Sequence, residues 1–132
     1  MADMQELIAR LEAAEVGSRE LDAVVWAATN GYELVRFDGA GWLYKMHAED
    51  IQRHERTGFI PGFSQSIDAA LALADRIIPG WWIELRRYSD GWYVKVAPHS
   101  SKEADALQGF QKPAAIALCI AILKAKAQGD ER

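Results

Sequence analysis

The chain has 132 residues at 14.7 kDa, half of them hydrophobic and 26% charged, with only 10 glycines and 4 prolines. That length fits one domain, 1–132, and that composition excludes a disordered, collagen-like or low-complexity chain. The lone Cys119 excludes an internal disulfide framework, and a net charge of −4 argues against bulk electrostatic binding of nucleic acid.

Met4, Leu7, Ile8 and Leu11 repeat at the spacing of one helical face, and Gly17 is expected to stop that helix. Ser18 suits the cap of a second helix, striped by Leu21, Val24, Val25 and Ala28 and ended by Asn30-Gly31. Tyr32–Phe37 and Trp42–Met46 are aromatic and β-branched runs around Asp38-Gly39-Ala40-Gly41, the pattern of a β-hairpin. His47–Gly58 is polar and reads as a loop or short helix. Ser64 or Ser66 caps a third helix from Ile67 to about Ile77, which Pro79-Gly80 ends. A second hairpin follows, Trp81–Tyr88 and Trp92–Ala97, and then a long polar connection, Pro98 to Gln111. Pro113 opens a fourth helix to about Gln128, whose stretch Ala114–Leu123 has almost no polar face and so requires neighbours on more than one side.

The charge is localised. Residues 1–22 hold six acids against Arg10 and Arg19, while the rest holds thirteen acids and thirteen bases. An acidic first segment reads as a solvated face. The longest apolar run has ten residues, short of the ~20 of a membrane helix. Met1–Arg10 lacks a basic start followed by an apolar stretch, so no signal peptide and a cytoplasmic location are expected.

A weak internal repeat organises the chain. Leu21-Asp22-Ala23-Val24-Val25 leads to a strand ending Arg36-Phe37, a turn and Gly41-Trp42-Leu43-Tyr44-Lys45. Ile67-Asp68-Ala69-Ala70-Leu71 leads likewise to Arg87-Tyr88, a turn and Gly91-Trp92-Tyr93-Val94-Lys95. Two αββ units predict an α+β fold with one four-stranded antiparallel sheet. Alternation places Trp81, Ile83, Leu85, Trp92, Val94 and Val96 on the core face, with Leu34, Trp42, Tyr44 and Met46. The opposite face mixes Val35, Phe37, Leu43, Trp82, Tyr88 and Tyr93 with Glu84, Arg86, Lys45 and Lys95. Exposed together, those apolar groups exceed the patch a monomer tolerates, so helices on both faces (an α/β/α sandwich) or a partner must cover them.

The chemistry-bearing clusters are sparse. His47, Glu49, Asp50, His54 and Glu55 could share a helical face, but no histidines stand at zinc-helix spacing and no cysteine supports them. A solvated loop is the expectation, with no metal and no cofactor. Cys119 reads as a buried inert thiol, and His99 beside Ser100 and Ser101 lacks a nucleophile elbow. Ser64 and Ser66 precede a helix start, where free N–H groups can hold an anion. Arg36, Arg86 and Arg87 with Trp42, Trp82, Tyr88 and Tyr93 form the best binding candidate, because aromatic planes stack on bases and guanidinium groups grip phosphate. The alternative is that the tryptophans fill the core and the arginines are surface charge.

Leu7–Leu11 with Gly17-Ser18-Arg19-Glu20-Leu21-Asp22-Ala23, Ser66–Leu73 with Pro79-Gly80-Trp81-Trp82, and Pro113-Ala114 through Ala125 resemble the phage ABA (α/β/α) sandwich domain family of small phage and prophage proteins. The similarity covers roughly 4–28, 59–97 and 112–127 and lapses over 38–58. It implies the three-layer fold and a phage or prophage origin, and no established activity. The expectation is therefore a non-enzymatic accessory protein in the host cytoplasm, self-associating, that binds a host protein or sequesters a small phosphorylated, nucleotide-derived signal and so antagonises host defence. A small metal-dependent hydrolase or nucleotide-processing enzyme using His47–Glu55 is the alternative, and a nucleic-acid binder the third.

Overall fold

The computed structural model describes residues 4–30, 32–37, 42–46, 55–57, 60–98 and 106–130, and between 32 and 57 it defines backbone pairing only. The elements run α1 (Met4–Ala13), α2 (Arg19–Asn30), β1 (Tyr32–Phe37), β2 (Trp42–Met46), β3 (Glu55–Thr57), α3 (Ile67–Ile77), β4 (Trp82–Tyr88), β5 (Gly91–Ala97), β6 (Leu107–Gln111) and α4 (Ala114–Asp130). The fold is α+β. No described helix is long and apolar enough to cross a membrane.

The caps follow the local chemistry. Ser18 Oγ accepts the Leu21 N–H at 3.1 Å and Ser66 Oγ accepts the Ala69 N–H at 3.3 Å, each satisfying one of the donors a helix start leaves free. The first helix stops at Ala13, ahead of Gly17, and its last carbonyls are satisfied from far along the chain. Gln111 Nε2 donates to the carbonyls of Leu11 at 3.2 Å and Glu12 at 2.7 Å.

The strands depart from the expected single sheet. Two separate three-stranded antiparallel sheets form, ordered β1-β2-β3 and β4-β5-β6. Each hairpin gains its third strand from a segment that reads as polar connection: Glu55–Thr57 pairs with β2, and Leu107–Gln111 pairs with β5. These two strands lengthen the repeat, which becomes a helix followed by a three-stranded meander in both halves. In the first meander the register shifts between Leu34 and Arg36, and Phe37 stands opposite Trp42.

Helix α4 is the centre of the molecule. Every residue from Ile116 to Leu123 has no exposed surface, as its missing polar face requires. One side of it meets β5 and β6, and the other meets α1, α2 and α3. The contact with β6 is backbone to backbone. A Cβ on Gly109 would stand 2.0 Å from the Ala117 carbonyl oxygen and 3.0 Å from the Ala121 nitrogen, so only glycine fits. Because α4 lies over β5 and β6, the edge strand β4 is less covered. Leu85, expected in the core, points toward the α4 side yet keeps 38% of its surface exposed. Among the described residues, helices pack against one face of the β4-β5-β6 sheet only, so two helical layers stack on the sheet rather than flanking it.

Gly109→Ala is expected to destabilise the fold by about 1–3 kcal/mol, the usual cost of forcing atoms into a filled contact. A lowered urea midpoint measures it. Gly129→Ala, where a Cβ meets nothing, is expected to be neutral or stabilising.

Candidate functional site

The outer face of the β4-β5-β6 sheet collects the side chains that point away from α4. The pairing sets Glu84 opposite Lys95, Arg86 opposite Tyr93, and Tyr93 opposite Phe110. Residues opposite one another share a face, so Tyr88, Tyr93 and Phe110 form a stripe across all three strands. The Tyr88 and Tyr93 rings meet edge to face, with centroids 5.0 Å apart at 85°, and Tyr93 lies 4.5 Å from Phe110 at 35°. Tyr88 is 47% and Phe110 36% exposed, both high for aromatic residues.

Charged groups border the stripe. Arg86 Nε is ion-paired with Glu84 Oε1, an oxygen screened from solvent. Side-chain hydrogen bonding with Tyr88, then the Glu84 carboxylate, raise the pKa of Arg86 above its ordinary value. The ion pair with Glu84 sets the guanidinium beside the rings. An open cavity of about 430 Å³ is lined by Glu84, Arg86, Tyr88, Asp90, Tyr93, Lys95 and Gln108. Its size falls within the range of small-molecule sites. Two acids and two bases border it, so its field is close to neutral.

Of the residues expected to bind, the structure brings Arg86, Tyr88 and Tyr93 into this one cavity. Trp82 shares the outer face at the opposite end of β4, away from the cavity. Arg87 points to the α4 side and lines a separate opening of about 300 Å³ at the hairpin tip, with Trp92 and Lys112. Arg36 and Trp42 belong to the other sheet, opposite Leu43 and Phe37 respectively, and their side chains lie outside the described residues. His47, Glu49, Asp50, His54, His99, Ser100 and Ser101 lie outside them as well; of the acidic and histidine cluster, only the backbone of Glu55 is placed, on β3. Phe110 and Gln108 escape sequence reading because Leu107–Gln111 looks like connection. The alternation of Leu107, Gly109 and Gln111 with Gln108 and Phe110 is the available signal.

The serine pair sits elsewhere. Ser66 is the cap of α3. Ser64 is fully buried, and both its N–H (2.7 Å) and its hydroxyl (2.6 Å) contact Asp22 Oδ1. The other oxygen, Asp22 Oδ2, accepts from Arg19 Nη1 and Gln65 Nε2, each at 2.8 Å. Arg19 Nη2 also donates to the Ile60 carbonyl at 2.7 Å. An anion at Ser64 would meet this carboxylate, so the residue serves the fold instead. The same loop presents the Phe63 carbonyl to the Cys119 thiol at 3.3 Å. Gly109 and Cys119 lie on opposite sides of α4, which puts the Ser64 loop across the helix from the sheet site. Burial, and secondarily the charge of Asp22, push the Cys119 pKa strongly upward.

Comparison with family models, curated proteins and solved structures finds no match to this chain.

Two measurements test the loop network. Asp22→Ala is expected to cost about 3 kcal/mol or more, because it strands buried donors; urea unfolding measures this. Cys119 is expected to resist alkylation in the native protein and to react once the protein is unfolded. The raised thiol pKa also carries a sign: the folded state keeps a proton that the unfolded state releases. The contribution is complete below the ordinary thiol value of 9.0 and is lost as pH rises above it.

Proposed function

We propose that this chain is a non-enzymatic binding module that takes a small phosphorylated aromatic ligand on the outer face of the β4-β5-β6 sheet. The observation that carries this reading is the exposed Tyr88–Tyr93–Phe110 stripe with the Arg86 guanidinium, ion-paired to Glu84, at its border. A ring stacks on Tyr93 and Phe110, while a phosphate pairs with the fork of Arg86. The acids of the cavity, Glu84 and Asp90, disfavour a polyanion but accept hydrogen bonds from ring or sugar donors. A nucleoside monophosphate matches that balance better than a nucleic-acid strand, whose affinity rests on many phosphate contacts.

The resemblance of residues 4–28, 59–97 and 112–127 to phage ABA sandwich proteins supports a phage or prophage origin, in which sequestering a nucleotide-derived signal would antagonise host defence.

Titration calorimetry with adenosine and guanosine monophosphates is the test. Binding is expected to weaken about 10-fold in Tyr93→Ala, in line with the loss of ~1–3 kcal/mol of stacking, and to fall with rising salt in the native chain. Absence of heat with both nucleotides, or equal affinity in Tyr93→Ala and Arg86→Ala, would refute it.

A further inference from the structure

We infer that two copies of this chain join through their β4 strands, antiparallel and centred on Leu85, to make one continuous six-stranded sheet. The edge borders the outer face used above and shares Glu84, Arg86 and Tyr88 with it. The dimer rests on the backbone and self-complementarity of β4, and its test reads mass rather than ligand binding, so it can fail or hold independently of the ligand reading.

Strand β4 is an edge: the sheet order is β4-β5-β6, and among the described residues no strand pairs with the far side of β4. Tyr88 and Gly91 close a two-residue turn, and the register to Trp82 and Ala97 runs without a shift. The hydrogen-bonded pairs with β5 therefore fall at Tyr88, Arg86, Glu84 and Trp82. The backbone N–H and C=O groups of Ile83, Leu85 and Arg87 point away from the sheet. Seven residues without a proline, a bulge or a lysine leave this edge lightly protected, with Arg87 the one charge on its α4 side.

The side chains of β4 are complementary to themselves. With Leu85 opposite the second copy's Leu85, the outward-pointing groups of Ile83 and Arg87 meet those of Arg87 and Ile83. On the outer face Glu84 then stands opposite Arg86, and Trp82 opposite Tyr88, in both directions. On the α4 side the two leucines meet at the twofold axis, where each has 38% of its surface exposed. The aliphatic stem of Arg87 lies across Ile83. Sliding the pair by one step either way sets Glu84 against Glu84 or Arg86 against Arg86. Like charges directly opposite destabilise a strand pair, so charge selects the Leu85-centred register. The helical layers leave room, because α4 lies over β5 and β6 rather than β4. Such an interface is isologous and closed, so it stops at two copies.

Native mass spectrometry of the full chain and of two charge variants tests this. The unmodified chain is expected at twice the monomer mass. Glu84→Arg and Arg86→Glu alone each face like charges and are expected at monomer mass. Mixed in equal amounts they restore both opposite-charge pairs, and the heterodimer is expected to appear. Leu85→Lys, at a half-exposed position, is expected to be monomeric with an unchanged circular-dichroism melt, and it decides the matter if either charge variant fails to fold. A monomeric native chain at its highest soluble concentration overturns the inference. So does a dimer indifferent to Leu85→Lys, or folded charge variants that fail to pair when mixed.

Discussion

A buried carboxylate, Asp22, organises the helical half of this protein. Taking a charge out of water costs several kcal/mol, and the cost is offset only where charged and neutral donors replace the lost hydration. Here the Ser64 N–H and hydroxyl supply one oxygen, and Arg19 and Gln65 supply the other. Three of those donors come from side chains or backbone of the 60–66 loop and one from the first turn of α2, so the carboxylate ties the start of one helix to the approach of another. Gly17 makes the closeness possible, since a Cβ there would lie 2.2 Å from the Ser64 carbonyl oxygen. The loop in turn delivers Phe63 and Ile60 to the core and a carbonyl to Cys119. Charge satisfaction and apolar cover of α4 are thus consequences of one arrangement.

That cover has a geometric corollary. A helix apolar on every side needs two coats, and α4 obtains them from α1–α3 on one side and from β5 and β6 on the other. Among the described residues, the helices that pack against the β4-β5-β6 sheet are then α4 and α1, with α2 and α3 stacked on α4. A strand's side chains alternate, so burying Val94, Val96 and Gly109 under α4 necessarily turns Tyr93, Lys95, Gln108 and Phe110 the other way. The aromatic outer face is a product of how α4 is buried, and its exposed rings are what make it a candidate for recognition.

The helices and both hairpins were legible because each is encoded by a local period with a local stop: Ser18 and Ser66 cap, Pro79-Gly80 ends a helix, and the aromatic runs alternate. What the sequence left hidden is set by distant partners. Residues Glu55–Thr57 and Leu107–Gln111 are too short and too polar to announce strands, and they become strands only by pairing with β2 and β5. Alternation shows which residues share a face but not which hairpin lies beside which, so one four-stranded sheet and two three-stranded sheets look alike. Leu85 has a core residue's phase, yet its burial depends on where α4 crosses the sheet. Asp22 looks like any acidic residue in a helix's first turn, and nothing local distinguishes it from an exposed one. Within the candidate site, Arg86, Tyr88 and Tyr93 were visible as a hairpin pattern, while Ser64 and Ser66 were grouped with them without a shared surface.

The acidic N-terminal segment shows how charge is used here. Glu20 pairs with Arg10 at 2.7 Å, while Glu12 and Glu15 face Lys124 and Lys112 at 3.7 and 3.6 Å. Those last two pairs are largely exposed, and such pairs contribute little, about 0–1 kcal/mol each. The sheet side is built differently: Glu84 and Arg86 sit two residues apart on one strand, beside aromatic rings and partly withdrawn from water. Apart from the screened Glu84 Oε1, that pair is about as exposed as Lys124 with Glu12, so water screens it to a similar degree and its distinction is the aromatic neighbours. A neutral total with strong local contrast rewards a partner of matching shape and opposed charge over any partner of a single sign. The net charge therefore lies with the acidic helical segment, while the sheet balances acid against base beside its exposed rings.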